Sequence, residues 1–180
     1  MPSEAQIKQD FVHDFGERYQ QFGLSKLMGR IVGLLIYESG PLSLDQITEQ
    51  LQHSKGPVSQ ITRRLSENGL IRKVWVPGSR RDHYTAEDEI FLRAFANHAD
   101  LLGHNQDLAD KYRDQFAADD AEPTPDHFQW RIEEMHRFYE LMGEHLQRFM
   151  QEWRSERRRM AAAWDGPPAV DRPKAGNDGS

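Results

Sequence analysis

Leu42 to Thr85, LSLDQITEQLQHSKGPVSQITRRLSENGLIRKVWVPGSRRDHYT, is the stretch whose reading decides the fold. Ser43 followed three residues later by Gln46 is a capping-box pattern, and it opens a helix from Leu44 to about Gln52. A second helix starts at Ser54 and stops at Asn68-Gly69, residue types that end helices. Only Gln52 and His53 fall between the two. Ile71-Arg72-Lys73-Val74-Trp75-Val76 is β-branched and partly alternating, Pro77-Gly78-Ser79 is turn chemistry, and His83-Tyr84-Thr85 is a short returning strand. Helix, tight turn, helix, strand, charged turn and strand is the order of a winged helix-turn-helix.

The second helix has the chemistry of a DNA-reading element. Val58, Ile61, Thr62 and Leu65 recur at helical spacing and face inward. Lys55, Ser59, Gln60, Arg63 and Arg64 then point outward, with Lys55, Ser59 and Arg63 four apart in one strip. Arg pairs bidentately with guanine, Gln with adenine, and Ser with base or phosphate. The helix start, Ser54-Lys55-Gly56, offers backbone N–H groups and a positive dipole end to a phosphate, and Pro57 is tolerated in that first turn. Arg80 and Arg81 stand at the hairpin tip, where a wing arginine can enter the minor groove. Asp82 is placed to pin one of them. The alternative is a solvated basic face on a winged helix that binds protein.

Charge is distributed accordingly. Residues 24–85 hold nine Lys+Arg and five Asp+Glu, a net of +4, although the whole chain is at -6. The remainder is therefore at -10. Basic charge concentrated on the segment that meets DNA is the electrostatic footprint of a binder, with affinity that falls steeply with salt.

Working outward, Ile7, Phe11, Phe15, Tyr19 and Phe22 form one face of an amphipathic helix over about Glu4–Phe22. A second helix, from about Ser25 to Ser39, is apolar on most sides and belongs in a core. Its Gly29 and Gly33, four apart, admit another backbone closely. A long helix from Ala86 to about Phe116 carries Phe91, Phe95, Leu102, Ala109, Tyr112 and Phe116, with His98 and Asn105 on its stripe. After an acidic, proline-containing break over Ala117–Asp126, a last helix runs from about His127 to Ala163. The expected organisation is an N-terminal helix over 1–23 that joins a dimer body, a winged helix-turn-helix over 24–85, a helical dimerisation region over 86–163, and a disordered tail over 164–180. The fold class is mainly α, with a two-stranded wing and long dimerisation helices.

The last helix carries Phe128, Ile132, Met135, Tyr139, Met142, Leu146, Phe149 and Trp153 at steps of four and three. That is a heptad seam, the spacing of a coiled-coil interface. The expected dimer interface is Ile132, Met135, Tyr139, Met142, Leu146, Phe149 and Trp153, with Phe11 and Phe15 of the first helix as partners. The competing reading packs the seam against the long 86–116 helix of the same chain. In a dimer, recognition helices about 34 Å apart match successive major grooves and call for an inverted-repeat operator.

Four blocks, GLSKLMGRIVGLL at 23–35, PLSLD at 41–45, SKGPVS at 54–59 and VPGSRRDHY at 76–84, resemble the GbsR branch of the MarR-type transcriptional regulators. Together they span residues 23–84, about a third of the chain. The resemblance implies a dimeric, mostly helical winged-helix repressor, and an effector of choline type, since better-known members respond to choline. This sequence has Ser79 where the family often has an acidic residue.

Other chemistries find little support. With no cysteine there is no disulfide scaffold, thiol nucleophile or thiolate metal site. His127, His136 and His145 are nine apart, so neighbours point to opposite faces and no metal site forms. No phosphate-binding glycine loop, G-x-S-x-G elbow or H-E-x-x-H is present. The reading is therefore no enzyme, no cofactor and no metal. The longest near-apolar run, Ile31–Tyr37, is too short for a bilayer and no secretory leader is present, so the expectation is a cytoplasmic protein without a membrane partner. Tyr19, Tyr37, Phe91, Phe95, Tyr112 and Trp130 are candidate walls for a quaternary ammonium ligand.

Overall fold

A computed structural model describes residues 1–118 and 123–164, excepting the side chains of His98, Asp100 and Leu101. The expected tail thus lies, save for Trp164, outside the described residues. The chain forms α1 (Glu4–Gln21), α2 (Lys26–Tyr37), β1 (Leu42–Ser43), α3 (Leu44–Leu51), α4 (Lys55–Glu67), β2 (Ile71–Val74), β3 (His83–Ala86), α5 (Ile90–Phe116) and α6 (Asp126–Ala162). It is mainly helical, and it divides into a unit ending at Ile90 and a unit over 91–165.

In the first unit the core is built on α2, whose Ile31, Val32, Leu34 and Leu35 are buried. Helix α1 lies across it at glycine distance. A Cβ at Gly29 would stand 2.6 Å from the Phe15 carbonyl oxygen and 2.9 Å from the Gly16 Cα. A Cβ at Gly33 would stand 2.9 Å from Phe15 Cβ. The close approach expected of these two glycines is made by α1. The buried face of α1 is Val12 and Gly16, one position round from the expected stripe. Phe15 and Tyr19 are only half-buried, and Ile7, Phe11 and Phe22 are exposed.

Helices α3 and α4 add Ile47, Leu51, Val58 and Leu65 to the same core. The capping box at Ser43 is complete. Its hydroxyl accepts from Gln46 N at 3.3 Å, and Gln46 Oε1 accepts from Ser43 N at 2.8 Å. Between the helices Gln52 takes the left-handed conformation, φ 50°, and His53 N donates to Thr48 O at 3.1 Å, which closes the end of α3.

The wing departs from a plain hairpin. The sheet has three antiparallel strands in the order β1-β3-β2. Leu42 and Ser43 pair with Tyr84 and His83, and Ile71–Val74 pairs with Ala86–His83. The first long strand ends at Val74 rather than Val76, because Pro77 carries no N–H for a ladder and Val76 already begins a turn. In that turn Ser79 N donates to Val76 O at 3.1 Å, and Gly78 has φ 80°. Proline then glycine in the two central positions is the sequence of a type II turn.

In the second unit α5 and α6 form an antiparallel hairpin. Phe95 meets Phe149 with ring centroids 5.1 Å apart, and Asn105 Nδ2 donates to Tyr139 Oη at 3.1 Å. Asp110 pairs with His136 at 2.6 Å and Arg113 with Glu133 at 2.8 Å, while Phe116 and Tyr112 both pack on Phe128. As the α5 number rises, the α6 number falls in step. The partner of the heptad seam inside this chain is α5. Among the described residues no helix is long and apolar enough to cross a membrane.

Candidate nucleic-acid interface

Helix α4 is fixed to the core by one face. Val58, Thr62 and Leu65 are fully buried, and burying such side chains stabilises by about 1.5–3 kcal/mol each for the aliphatic ones. The Thr62 hydroxyl spends its hydrogen on the helix itself, against the carbonyls of Val58 and Ser59 at 3.0 Å. The opposite face is exposed along its length: Lys55, Gly56, Ser59, Gln60, Arg63 and Arg64. Buried Val58 and Thr62 hold the helix from rotating, so this outward strip has a defined direction.

The start of α4 is open. Ser54 takes the N-cap position in extended conformation, yet its side chain makes no capping bond. The first-turn N–H groups of α4 therefore lack a side-chain acceptor, and with the helix dipole they suit an anion. Nothing lies within 4 Å of a Cβ placed on Gly56, so the surface there is free for close approach.

The wing tip is held by local bonds. The Ser79 hydroxyl accepts from Arg81 N at 3.2 Å. His83 is buried, with Nδ1 2.9 Å from the Arg81 carbonyl oxygen, so that nitrogen carries the proton and donates. Arg80 and Arg81 are thereby presented outward. Asp82 does not pin an arginine. Its carboxylate pairs with Lys73 across the hairpin at 2.7 Å, which pushes the Lys73 ammonium upward from its usual value.

The residue that holds an arginine is Asp45, which sequence reasoning had not singled out. Its Oδ1 lies 2.7 Å from Lys55 Nζ and its Oδ2 lies 2.9 Å from Arg81 Nη1. The Lys55 hydrogen bond first, then Arg81, holds the Asp45 carboxyl below the usual carboxylate range. One acidic group on α3 so links the start of the recognition helix to the wing, around an open groove of about 460 Å³. Positions 45, 55 and 81 share no sequence period, and only the fold brings them together. Elsewhere on this face Arg63 sits 3.7 Å from Glu67. Among the described residues Arg64 and Arg80 make no ion pair.

The expected aromatic walls are divided among several local settings. Tyr37 lies under Lys8 Nζ, 5.6 Å from its ring centroid, and donates to Glu4. Tyr112 packs on Phe116 and Phe128. Phe91 and Phe95 do share a hollow, of about 200 Å³, with Leu92, Phe149 and Trp153. Of the expected dimer seam, Ile132 is buried within the chain and Tyr139 is bonded to Asn105, while Phe149 remains exposed.

Comparison with known proteins agrees with this architecture. Residues 34–83 match the MarR family model, which takes in α3, α4 and most of the wing. The HTH-type transcriptional repressor OpcR of Bacillus subtilis is 26% identical over 108 residues, 58% of this chain and 58% of that protein. The HTH-type transcriptional repressor GbsR of the same organism is 29% identical over 99 residues, 53% of this chain and 54% of that protein. The chain thus spans little more than half the length of these two relatives. A crystal structure of a transcriptional regulator shares the fold, with a TM-score of 0.68, 23% identity, and coverage of 83% of this chain and 99% of that one.

Proposed function

We propose, for a chain whose residues 34–83 belong to the MarR family, a homodimeric, sequence-specific DNA-binding regulator that represses transcription. The observation that carries this is the two-sided character of α4, one face locked in the core and the other a continuous exposed strip of Lys, Ser, Gln and Arg. Ser59, Gln60, Arg63 and Arg64 read base edges in the major groove. Ser54, Lys55 and Gly56 meet a phosphate at the helix start, and Arg80 and Arg81 reach the minor groove or its phosphates. Repression is carried over from OpcR and GbsR, which are named as repressors. The GbsR branch is our assignment within the family, and the protein acts in the cytoplasm, where its DNA is.

The second copy covers the apolar surface that the single chain leaves open. We assign to it Phe11 of α1, and Phe149 with Trp130, Phe138 and Leu141 of α6, all exposed. The small-molecule effector is a quaternary ammonium compound of choline type. Its cationic head would sit among Phe91, Phe95, Phe149 and Trp153, where aromatic faces attract it. A ligand there acts only through a difference in affinity between the DNA-competent state and another.

The test is selection of genomic DNA fragments by the purified protein, followed by sequencing, at low and at physiological salt. The expected result is an inverted repeat whose recovery falls steeply as salt rises. Recovery of no preferred sequence at either salt, with and without choline, would overturn the reading in favour of a winged helix that binds protein.

A further inference from the structure

We infer that Asp45 is a built-in counter-ion that a DNA phosphate displaces, and hence a residue that holds down this chain's affinity for DNA of any sequence. The inference rests on the DNA-binding reading above and deepens it. Asp45 is in the first turn of α3, Lys55 opens α4, and Arg81 stands on the wing. One carboxylate oxygen takes the ammonium at 2.7 Å and the other takes the guanidinium at 2.9 Å. A phosphodiester presents the same pattern, an anion with two free oxygens, to the same two cations.

This network is not a device for holding the fold. The Lys55 and Arg81 side chains are 64% and 69% exposed, and ion pairs so exposed add little to stability. Its consequence falls on binding. Sequence-independent affinity grows with the number of phosphates neutralised and of counterions released. Each time Lys55 and Arg81 turn to phosphates, Asp45 loses both partners and stands as an uncompensated negative charge beside the DNA. The net release of counterions is smaller by about one than the basic residues alone would give. Phosphates of any sequence make the same demand on Lys55 and Arg81, so the same loss falls on the operator and on other DNA. Asp45 therefore weakens binding to all DNA by a similar factor and leaves the ratio between operator and other DNA nearly unchanged.

The experiment compares wild type, Asp45→Asn and Asp45→Glu on two probes, a mixed-sequence duplex and the duplex that wild type selects from genomic DNA. Affinities are measured across a salt series, with circular dichroism and thermal unfolding in parallel. Asp45→Asn keeps the volume and removes the charge. It should fold as wild type does, bind the mixed duplex about tenfold more tightly at low salt, and steepen the log-log salt slope by about one. Its gain on the selected duplex should be similar, so the ratio between the probes is nearly unchanged. Asp45→Glu, which keeps a carboxylate, should keep the wild-type affinities and slope. An unchanged slope and unchanged affinities in Asp45→Asn would overturn the inference and leave DNA binding standing. Loss of affinity for both probes by a folded Asp45→Asn protein would make Asp45 an organiser of the site, and loss of the fold would make it structural; either overturns the inference. Wild type that binds neither probe would remove the DNA-binding reading itself, and this inference with it.

Discussion

Gly29 stands where a methyl group has no room, and Gly56 stands where one meets nothing but its neighbours in the chain. The two glycines separate packing from function at single-residue resolution. Gly29→Ala would press a Cβ onto the Phe15 carbonyl oxygen, which is 2.6 Å away and is backbone, so α1 must move off α2. Such overpacking costs about 1–3 kcal/mol. Gly56→Ala meets nothing within 4 Å beyond its chain neighbours and lies in a helix, directly before Pro57. The backbone entropy that alanine saves is opposed by the proline ring, which disfavours the helical backbone for a preceding residue that carries a Cβ, so stability should change by less than about 1 kcal/mol. If Gly56 is where the backbone nears a phosphate, the same substitution weakens DNA binding. Denaturant midpoints and affinities of the two variants together check this. A Gly56→Ala protein destabilised as much as Gly29→Ala, or a Gly29→Ala protein as stable as wild type, would contradict the packing described above.

Helix α4 and the wing make the claim at the scale of elements. Arg63 projects from the middle of the exposed strip, its side chain 78% exposed and only 3.7 Å from Glu67 at best. Arg63→Ala should therefore leave thermal stability nearly unchanged. If Arg63 makes a bidentate base contact, binding to the operator falls by about 1–3 kcal/mol and selectivity relaxes at one base position. Equal loss on every sequence would make it a phosphate contact. Binding-site selection with the variant reads the difference. These elements were legible in the sequence because their signals are local: Ser43 with Gln46 starts α3, Asn68-Gly69 stops α4, and Pro77-Gly78 turns the wing. Strand β1 was not legible. It has two residues, Leu42 and Ser43, and exists only because Tyr84 and His83 lie beside it. Asp45 was missed for the same reason, since its two partners come from elements 10 and 36 residues further on. The inward face of α1 was misjudged because aromatics at helical spacing outweighed the small pair Val12 and Gly16, which the glycines of α2 require.

For the molecule as a whole, the heptad seam shows how far periodicity reaches. It announces an apolar stripe on α6, but not which helix covers it, and within the chain that helix is α5. The cover is thin. Among the described residues of 91–164, only Leu92, Ala109 and Ile132 are buried hydrophobics. Trp130, Phe138, Leu141 and Phe149 of the same unit are exposed, Trp130 at 66% and Phe138 at 54%. Apolar surface of this kind, grouped on one helix, marks an association site. In the proposed dimer a second copy supplies what the hairpin lacks, so wild type should sediment as a dimer at micromolar concentration. Phe138→Glu with Leu141→Glu places two charges on the open face while sparing Ile132 and the Asn105–Tyr139 bond. That double variant should sediment as a monomer, retain most of its helical circular dichroism, and lose inverted-repeat binding far more than half-site binding. Ile132→Glu, by contrast, buries an unpaired carboxylate between α5 and α6 and should disrupt the hairpin itself. A wild-type protein that stays monomeric up to high concentration would refute the dimer. A double variant that still dimerises would move the interface to the α1 face around Phe11, where Phe11→Glu would be the next variant to sediment.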